Sequence, residues 1–273
     1  MQMIILGSGS PLVTADRAGP ATLVRVGKVD LLFDCGRAVL MRGAAVGMTA
    51  AGLTALFVTH MHSDHTTDYN DIITTRWITS PGPRPLRAFG PVGFQRFTDA
   101  TLAMLETDVH YRTAHHADLQ HHPQVLVEEV ADGWRWQHEG IVVTAAATDH
   151  SPVHPTMGFR VEAEGKVVAI AGDTVPCDGL RRLCTGADIY VQTVILRSLI
   201  EAHPSARFRD VIDYHSDVMQ AAQTAKACGV RTLVLNHPVP PPRQGTEAAW
   251  IDLARAHFDG EVVLANDLLT LQA

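Results

Sequence analysis

The feature that most constrains this chain is a cluster of metal-binding side chains that directly follows an apolar run. Residues 59–65 read Thr-His-Met-His-Ser-Asp-His, and they come after the run Ala-Leu-Phe-Val at 55–58. Such a run is typical of a buried strand. Because α/β sheets usually bind ligands at the carboxyl ends of their strands, the cluster predicts a site at one edge of a sheet.

The spacing of the cluster predicts two metal ions. In an extended segment, residues two apart point to the same side, so His60 and His62 can hold one ion. Asp64 and His65 come where the chain turns into a helix, and they can face a second ion. Imidazole and carboxylate are ordinary zinc ligands. The alternative is a surface cluster that binds nothing, since the chain has 15 histidines, but the spacing H-x-H-x-D-H is far more specific than a lone histidine.

The cluster resembles the T-H-x-H-x-D-H signature of the metallo-β-lactamase superfamily, and the later motifs are similar to its ribonuclease Z and arylsulfatase-like branch. The resemblance extends from Met3 to about Leu269. It implies an αββα sandwich, in which two mixed β-sheets are flanked by helices. Because the motifs span both halves of the chain, we expect one domain over residues 1–273.

The resemblance implies the remaining metal ligands. Three later motifs each end a strand-like run: Thr-Asp-His at 148–150, Gly-Asp-Thr at 172–174 and Asn-His-Pro at 236–238. The implied cofactor is two zinc ions per chain, although manganese or iron would accept the same ligands. The expected ligands are His60, His62 and His150 for one ion, Asp64, His65 and His237 for the other, and Asp173 as the bridge.

Other positions carry weaker expectations. By resemblance, Asp34 orients a histidine ligand from beneath, and His215, in Tyr-His-Ser, donates a proton near the scissile bond. A turn-capping aspartate and a surface histidine at a helix start are the respective alternatives. We expect Arg160 to be mainly structural and His154 to be a candidate pocket residue.

The histidine-rich segment 110–122 has no spacing that ties it to one metal. We expect it to be a partly exposed segment near the mouth of the active site, with Arg112 or one of the histidines touching substrate; the alternative is a solvated polar loop.

Composition and sequence features bear on the cellular location of the protein and on its partners. The four cysteines are widely spaced, no apolar stretch approaches membrane-spanning length, and the N-terminus lacks a secretory pattern. These features predict a cytoplasmic protein with reduced thiols and no membrane association. The net charge of −7 weighs against a nucleic-acid partner. A homodimer is implied by the resemblance alone.

These observations predict a hydrolase whose nucleophile is a hydroxide held by two metal ions, with Asp64 and His215 as catalytic residues. We expect a small-molecule phosphodiester or sulfate ester as substrate. Processing of tRNA 3′ ends is less favoured, because only 22 residues separate His150 from Asp173 and leave no room for the long arm of many ribonuclease Z proteins. Gln192-Thr193 also replaces the His-Glu of that branch. Alternatives are a lactonase or amidase, an inactive metal-binding protein and a redox diiron protein.

Overall fold

The chain folds into two seven-stranded β-sheets that pack face to face, with helices on both outer surfaces. The structure is a computed structural model and describes residues 1–273. The strands are β1 (Gln2–Gly7), β2 (Ala21–Val26), β3 (Val29–Phe33), β4 (Ala55–Phe57), β5 (Leu86–Pro91), β6 (Val125–Val130), β7 (Arg135–His138), β8 (Ile141–Ala147), β9 (Met157–Ala163), β10 (Lys166–Ile170), β11 (Ile189–Ile195), β12 (Thr232–Val239), β13 (Glu261–Leu264) and β14 (Thr270–Gln272). The helices are α1 (Val39–Ala45), α2 (Ser63–Thr66), α3 (Tyr69–Thr79), α4 (Phe94–His115), α5 (Asp178–Cys184), α6 (Arg197–Glu201), α7 (Ala206–Arg209), α8 (Val218–Ala227) and α9 (Glu247–Arg255).

Both sheets are mixed. The first has the strand order β14-β1-β2-β3-β4-β5-β6, and the second has the order β13-β12-β11-β10-β9-β8-β7. In the first sheet β3, β4, β5 and β6 run parallel, and in the second β10, β11, β12 and β13 do. Helices α1 and α4 pack on the first sheet, and α5, α8 and α9 pack on the second. The predicted αββα sandwich is confirmed.

The apolar runs in the sequence arise because each sheet is covered on both faces. In β1, Met3 and Ile5 point into the layer between the two sheets, whereas Ile4 and Leu6 point to the helices. Alternating side chains therefore enter different cores, and the strand is apolar throughout. The layer between the sheets contains a column of phenylalanines: the Phe33 and Phe57 rings lie 4.8 Å apart, and Phe57 lies 5.4 Å from Phe159 of the opposite sheet.

The histidine-rich segment differs from its prediction. The sequence predicts a helix over 92–106, directly after Gly90-Pro91. In the structure α4 runs from Phe94 to His115, because Thr101, Leu105 and Val109 continue its buried face. Arg112 pairs with Asp108 one turn earlier, with Nε 2.8 Å from Oδ2. No residue of 110–122 lines the cavity that contains Asp173, so the expected position at the mouth of the site is wrong.

No helix is long and apolar enough to span a bilayer. The single domain, the cytoplasmic location and the homodimer stay predictions.

The topology brings four of the predicted motifs to one edge. His60 follows β4, His150 follows β8 and Asp173 follows β10, while His237 lies near the end of β12. Because β8, β10 and β12 run in the same direction, their carboxyl ends meet at the same edge of the second sheet. The two sheets thus converge on one site.

Candidate active site

The seven predicted metal ligands form two groups of converging side chains. Within each group, one nitrogen or oxygen atom from every residue lies within 4.8 Å of the others. All are buried except His62, which is half-buried. The first group is His60, His62, His150 and Asp173, and the second is Asp64, His65 and His237.

Asp173 lies between the two groups. Its Oδ2 is 3.8 Å from Nε2 of His60 and 3.9 Å from Nε2 of His150 in the first group. The same oxygen is 3.5 Å from Nε2 of His65 and 3.9 Å from Nε2 of His237 in the second. One carboxylate oxygen thus faces imidazoles of both groups, as a bridging ligand must.

Asp34 orients His65 of the second group and also binds Thr59, through three hydrogen bonds that its carboxylate accepts. Nδ1 of His65 donates to Asp34 Oδ2 at 2.8 Å, and the backbone amide of Thr59 donates to Oδ1 at 2.8 Å. The Thr59 hydroxyl also donates to Asp34 Oδ2, at 2.9 Å. The fixed Nδ1–H leaves the other ring nitrogen of His65 facing Asp173. An outer carboxylate of this kind commonly sets the tautomer of a metal-binding histidine.

Hydrogen bonds outside the cluster orient other ligands in the same way. Nδ1 of His60 lies 3.0 Å from the Thr59 hydroxyl, and Nδ1 of His150 lies 2.7 Å from the carbonyl oxygen of Tyr214. With Nδ1 engaged, each ring directs Nε2 inward. Thr193 donates from its hydroxyl to Oδ1 of Asp173 at 2.7 Å, which leaves Oδ2 for the imidazoles.

Two residues of the ligand-bearing segments have positive φ values. Gly172, just before Asp173, has a φ of 66°, and a Cβ there would lie 2.9 Å from Cβ of Thr59. The glycine is therefore required by the approach to Thr59. His237 has a φ of 49°, an uncommon conformation for a residue with a side chain, and such strain tends to occur at functional sites.

The two ligand groups differ in the pKa values of their histidines. Burial lowers the pKa of His150 to about 4 and the pKa of His60 well below its usual value, so both rings are neutral near pH 7. Burial opposes ionisation of Asp173, but the imidazoles of His237 and His65 hold its pKa well below the usual range. Burial lowers the pKa of His65 and His237, but the neighbouring carboxylates, Asp173 above all, outweigh it and raise the pKa of both rings. Neutral imidazole and ionised carboxylate are the forms that coordinate metals, so metal binding would displace protons from the second group.

Unpaired polar atoms provide a further test of the fit. Nε2 of His65 and Nδ1 of His237 are buried and have no hydrogen-bond partner. Burying a polar atom without a partner costs about 1–3 kcal/mol, so the inward-facing Nε2 of His65 fits a metal ligand. Together with the mixed imidazole and carboxylate donors, this indicates a dinuclear metal site.

His215 lies beside the cluster. Its Nε2 is 3.3 Å from Asp173 Oδ2, and its Nδ1 is 3.1 Å from the carbonyl oxygen of Val211. The ring is buried but lines the same cavity as Asp64 and Asp173. It is therefore positioned to exchange a proton with a group bound over the cluster.

The cluster opens into a cavity of about 370 Å³. Pro11 and Leu12 line one part of it, and residues of the segment 203–214 line another. The sequence Gly-Ser-Gly-Ser-Pro at 7–11 predicts a tight loop near the site, and Pro11 at its end lines the cavity.

The loop over residues 8–18 is fixed by the C-terminal region. Asp267 accepts hydrogen bonds from the backbone amide and the hydroxyl of Ser8, from the amide of Ala18 and from Nε of Arg42, all at 2.8–2.9 Å. Arg17 donates to the carbonyl oxygen of Ala265 at 2.7 Å. These contacts hold the wall that carries Leu12.

Two weaker candidates lie outside the cavity. His154 is exposed in the loop between β8 and β9 and does not line it. Arg160 pairs with Glu162 at 2.8 Å and donates to the carbonyl oxygens of Leu183 and Thr185, so it joins β9 to the end of α5. The expectation of a structural role for Arg160 agrees with these contacts.

Several residues of the site were not found from the sequence. Thr193 lies in the segment that departs from the family pattern, and its position directly after a buried strand was a usable signal. No local pattern marks Asp267, whose partners lie about 250 residues away. The cavity-lining side chains of segment 203–214 were also missed; they are His203, Ser205, Arg207, Phe208, Val211 and Tyr214.

Comparison with known proteins gives consistent matches. The model of the β-lactamase superfamily domain matches residues 30–237. The chain is 47% identical over 270 residues to the ribonuclease Z of Mycobacterium bovis, covering 98% of this chain and 96% of that protein. It is 49% identical over 274 residues to the ribonuclease Z of Mycolicibacterium paratuberculosis, covering 100% of this chain and 98% of that protein.

Solved structures share the fold. The metallo-β-lactamase fold protein YhfI from Bacillus subtilis superposes with a TM-score of 0.77 at 20% identity, covering 100% of this chain and 98% of that one. The short form of human tRNase Z superposes with a TM-score of 0.72 at 24% identity, covering 100% of this chain and 99% of that one.

These matches correct two expectations. The expectation of a small-molecule phosphodiester or sulfate ester as substrate is contradicted by the full-length likeness to ribonucleases Z. The same likeness contradicts the expectation that a nucleic-acid partner is unlikely. The short connection between His150 and Asp173 did not indicate the substrate correctly. Two relatives named ribonuclease Z are covered by this chain to 96% and 98% of their length. The net charge was equally uninformative, since it averages over the whole surface.

Proposed function

The chain belongs to the metallo-β-lactamase superfamily, in its ribonuclease Z branch, and we propose that it is a metal-dependent endoribonuclease that cleaves precursor tRNA at the 3′ end. The observation that carries this proposal is the identity of 47–49% to ribonucleases Z over nearly the whole length of both chains. The converging histidine and aspartate side chains support it, because they form a site suited to hydrolysis of a phosphodiester bond.

The proposed cofactor is two zinc ions per chain, with manganese or iron as substitutes. His60, His62 and His150 would hold one ion, Asp64, His65 and His237 would hold the other, and Asp173 would contact both. When bound, two such ions supply Lewis acidity to the phosphate and lower the pKa of a water molecule.

The chain's own residues supply orientation and proton transfer. Asp34 and Thr193 hold His65 and Asp173 in place through hydrogen bonds of 2.8 and 2.7 Å. His215 lines the cavity beside Asp173, and its Nε2 would donate a proton to the leaving oxygen of the RNA. The carbonyl oxygen of Val211 fixes the His215 tautomer by accepting from Nδ1, so the inward nitrogen is the one that exchanges the proton.

A precursor tRNA with a 3′ trailer tests the proposal. We expect the purified, zinc-replete protein to release the trailer by a single endonucleolytic cut. No 2′,3′-cyclic phosphate should form, because the attacking oxygen comes from water and not from the RNA 2′-hydroxyl. The His65→Ala variant is the control and should leave the precursor intact. A zinc-replete protein that leaves precursor tRNA uncut would rule the proposal out.

A further inference from the structure

We propose that Phe208 and Arg207 form a nucleotide subsite beside the metal-binding cluster. In this subsite the aromatic ring stacks on one unpaired base of the substrate, and the guanidinium pairs with the adjoining phosphate. The proposal rests on the proposed function in one respect, namely that the substrate is RNA. It adds the residues that hold a nucleotide next to the scissile bond.

The segment that carries both residues forms one wall of the cavity and packs on its own small apolar cluster. Between β11 and α8 the chain forms α6, α7 and a 3-10 turn at Asp210–Asp213. Phe208, Val211 and Ile212 of this segment do not belong to the main cores of the sandwich. They pack on a small cluster of their own, made of Ile195, Ile200 and Val239. Phe208 is one of the residues packed against that cluster, so its ring is held in place before substrate arrives.

The wall presents aromatic surface to the cavity. The rings of Phe208 and His203 lie 4.2 Å apart between centroids, tilted by 39°, and both residues line the cavity. Tyr214 lines it as well, and its ring lies 4.8 Å from that of His215. Proteins recognise single-stranded RNA chiefly by stacking its bases on such side chains. Pro11 and Leu12 also line the cavity, and their side chains are suited to an apolar base face.

Arg207 is the free cation of this wall. Its neighbours are engaged within the protein: Arg197 pairs with Glu201 at 2.9 Å, and Arg209 donates to the carbonyl oxygen of His203 at 2.7 Å. Arg207 has no such partner and lines the cavity with an exposed side chain. A guanidinium beside an aromatic ring suits a nucleotide, because phosphate and base are then bound by adjacent residues.

The position of the subsite relates it to the reaction. Asp64, Asp173 and His215 line the same cavity of about 370 Å³. That volume lies within the roughly 300–1,000 Å³ of ligand pockets. A phosphate over the metal-binding cluster would therefore have its neighbouring nucleotide against Phe208.

The test is an abasic scan of a bound RNA. A fluorescent hairpin with a single-stranded 3′ extension carries phosphorothioate linkages that slow its cleavage. Single nucleotides of the extension are replaced in turn by abasic residues, and Kd is measured by anisotropy. For the wild-type protein we expect one position at which loss of the base weakens binding by about tenfold, within the range of base–aromatic stacking.

Phe208→Leu should abolish that effect. Leucine keeps the packing on the small cluster but offers no ring, so the intact RNA should bind about tenfold more weakly and the abasic substitution should cost nothing further. Phe97→Leu, in a half-buried aromatic outside the cavity, should leave the scan unchanged. Arg207→Ala should reduce the slope of log Kd against log salt by about 0.7, as expected for one lost contact to single-stranded RNA. Arg255→Ala makes the same charge change on α9 and should leave the slope unchanged.

The outcomes separate this proposal from the proposed function. A wild-type protein that cleaves precursor tRNA but gives a flat abasic scan, or a scan that Phe208→Leu does not alter, would overturn the subsite alone. An unchanged salt slope in Arg207→Ala would remove the phosphate contact. A protein that neither binds nor cleaves the RNA would overturn both proposals.

Discussion

The Thr193 hydroxyl donates a 2.7 Å hydrogen bond to Oδ1 of Asp173. This bond fixes the rotation of the carboxylate and leaves Oδ2 facing the imidazoles of both ligand groups. Both side chains are buried, so water cannot replace the bond if it is removed. The orientation of the bridging residue therefore depends on Thr193, which lies directly after Gln192 near the end of β11.

We expect Thr193→Val to reduce kcat/KM for precursor tRNA and metal affinity by about 10–100-fold, the usual effect of losing a residue that orients a metal ligand. Valine keeps the shape of threonine but cannot donate. Metal titration with activity measurements checks this. Thr193→Ser should restore most of the loss, and Thr232→Val, which removes a hydroxyl bonded to Glu261 in the same sheet, should have no effect. Full metal affinity in Thr193→Val would contradict the orienting role.

Metal removal should destabilise the protein as well as inactivate it. Chelation would leave the buried, inward-facing Nε2 of His65 without a partner. A ligand at 100 times its Kd adds about 2.7 kcal/mol to the free energy of unfolding, so we expect zinc to raise Tm by several degrees. Elemental analysis should find about two ions per chain in wild type and fewer in His65→Ala. Equal Tm values with and without zinc would argue against a metal site.

His215→Ala should lower kcat by about 10²–10⁴-fold while both metal ions remain bound, because only proton transfer is lost. The defect should be smallest for an RNA analogue in which sulfur replaces the leaving oxygen of the scissile phosphate, because a thiolate departs without a proton. Single-turnover kinetics on matched oxygen and sulfur substrates measures the difference. An equal loss on both substrates would mean that His215 acts in another step, and a loss of metal would mean that it is a ligand.

Asp267→Ala should destabilise the loop that carries Leu12. Asp267 is 7% exposed and receives four hydrogen bonds, one of them from the Arg42 guanidinium. Loss of a bond to a charged group costs roughly 1.5–3 kcal/mol, and we expect a loss of at least this size in urea unfolding. KM should rise more than kcat falls. Asp259→Ala, which breaks an exposed pair with Lys226, should have little effect on either quantity.

The sequence predicted the fold and the ligand cluster because both produce recognisable patterns among residues that are close together in the sequence. The run at 55–58 followed by His60 and His62 identified a strand end with metal-binding residues, and the sandwich followed from the order of similar motifs. The rest depends on contacts between distant parts of the chain. Asp267 meets Ser8 only after the two sheets have packed, and α4 continues past residue 106 because Val109 finds a buried surface. The substrate was misjudged because net charge says nothing about where a lone arginine such as Arg207 lies.

The bond between Ser8 and Asp267 joins positions that are 259 residues apart. All seven proposed metal ligands lie between His60 and His237, so none belongs to either of the segments that this bond connects. The loop over residues 8–18 keeps its position only while the C-terminal region is packed beside β1. The geometry of the ligand cluster and the shape of this cavity wall thus depend on different parts of the chain.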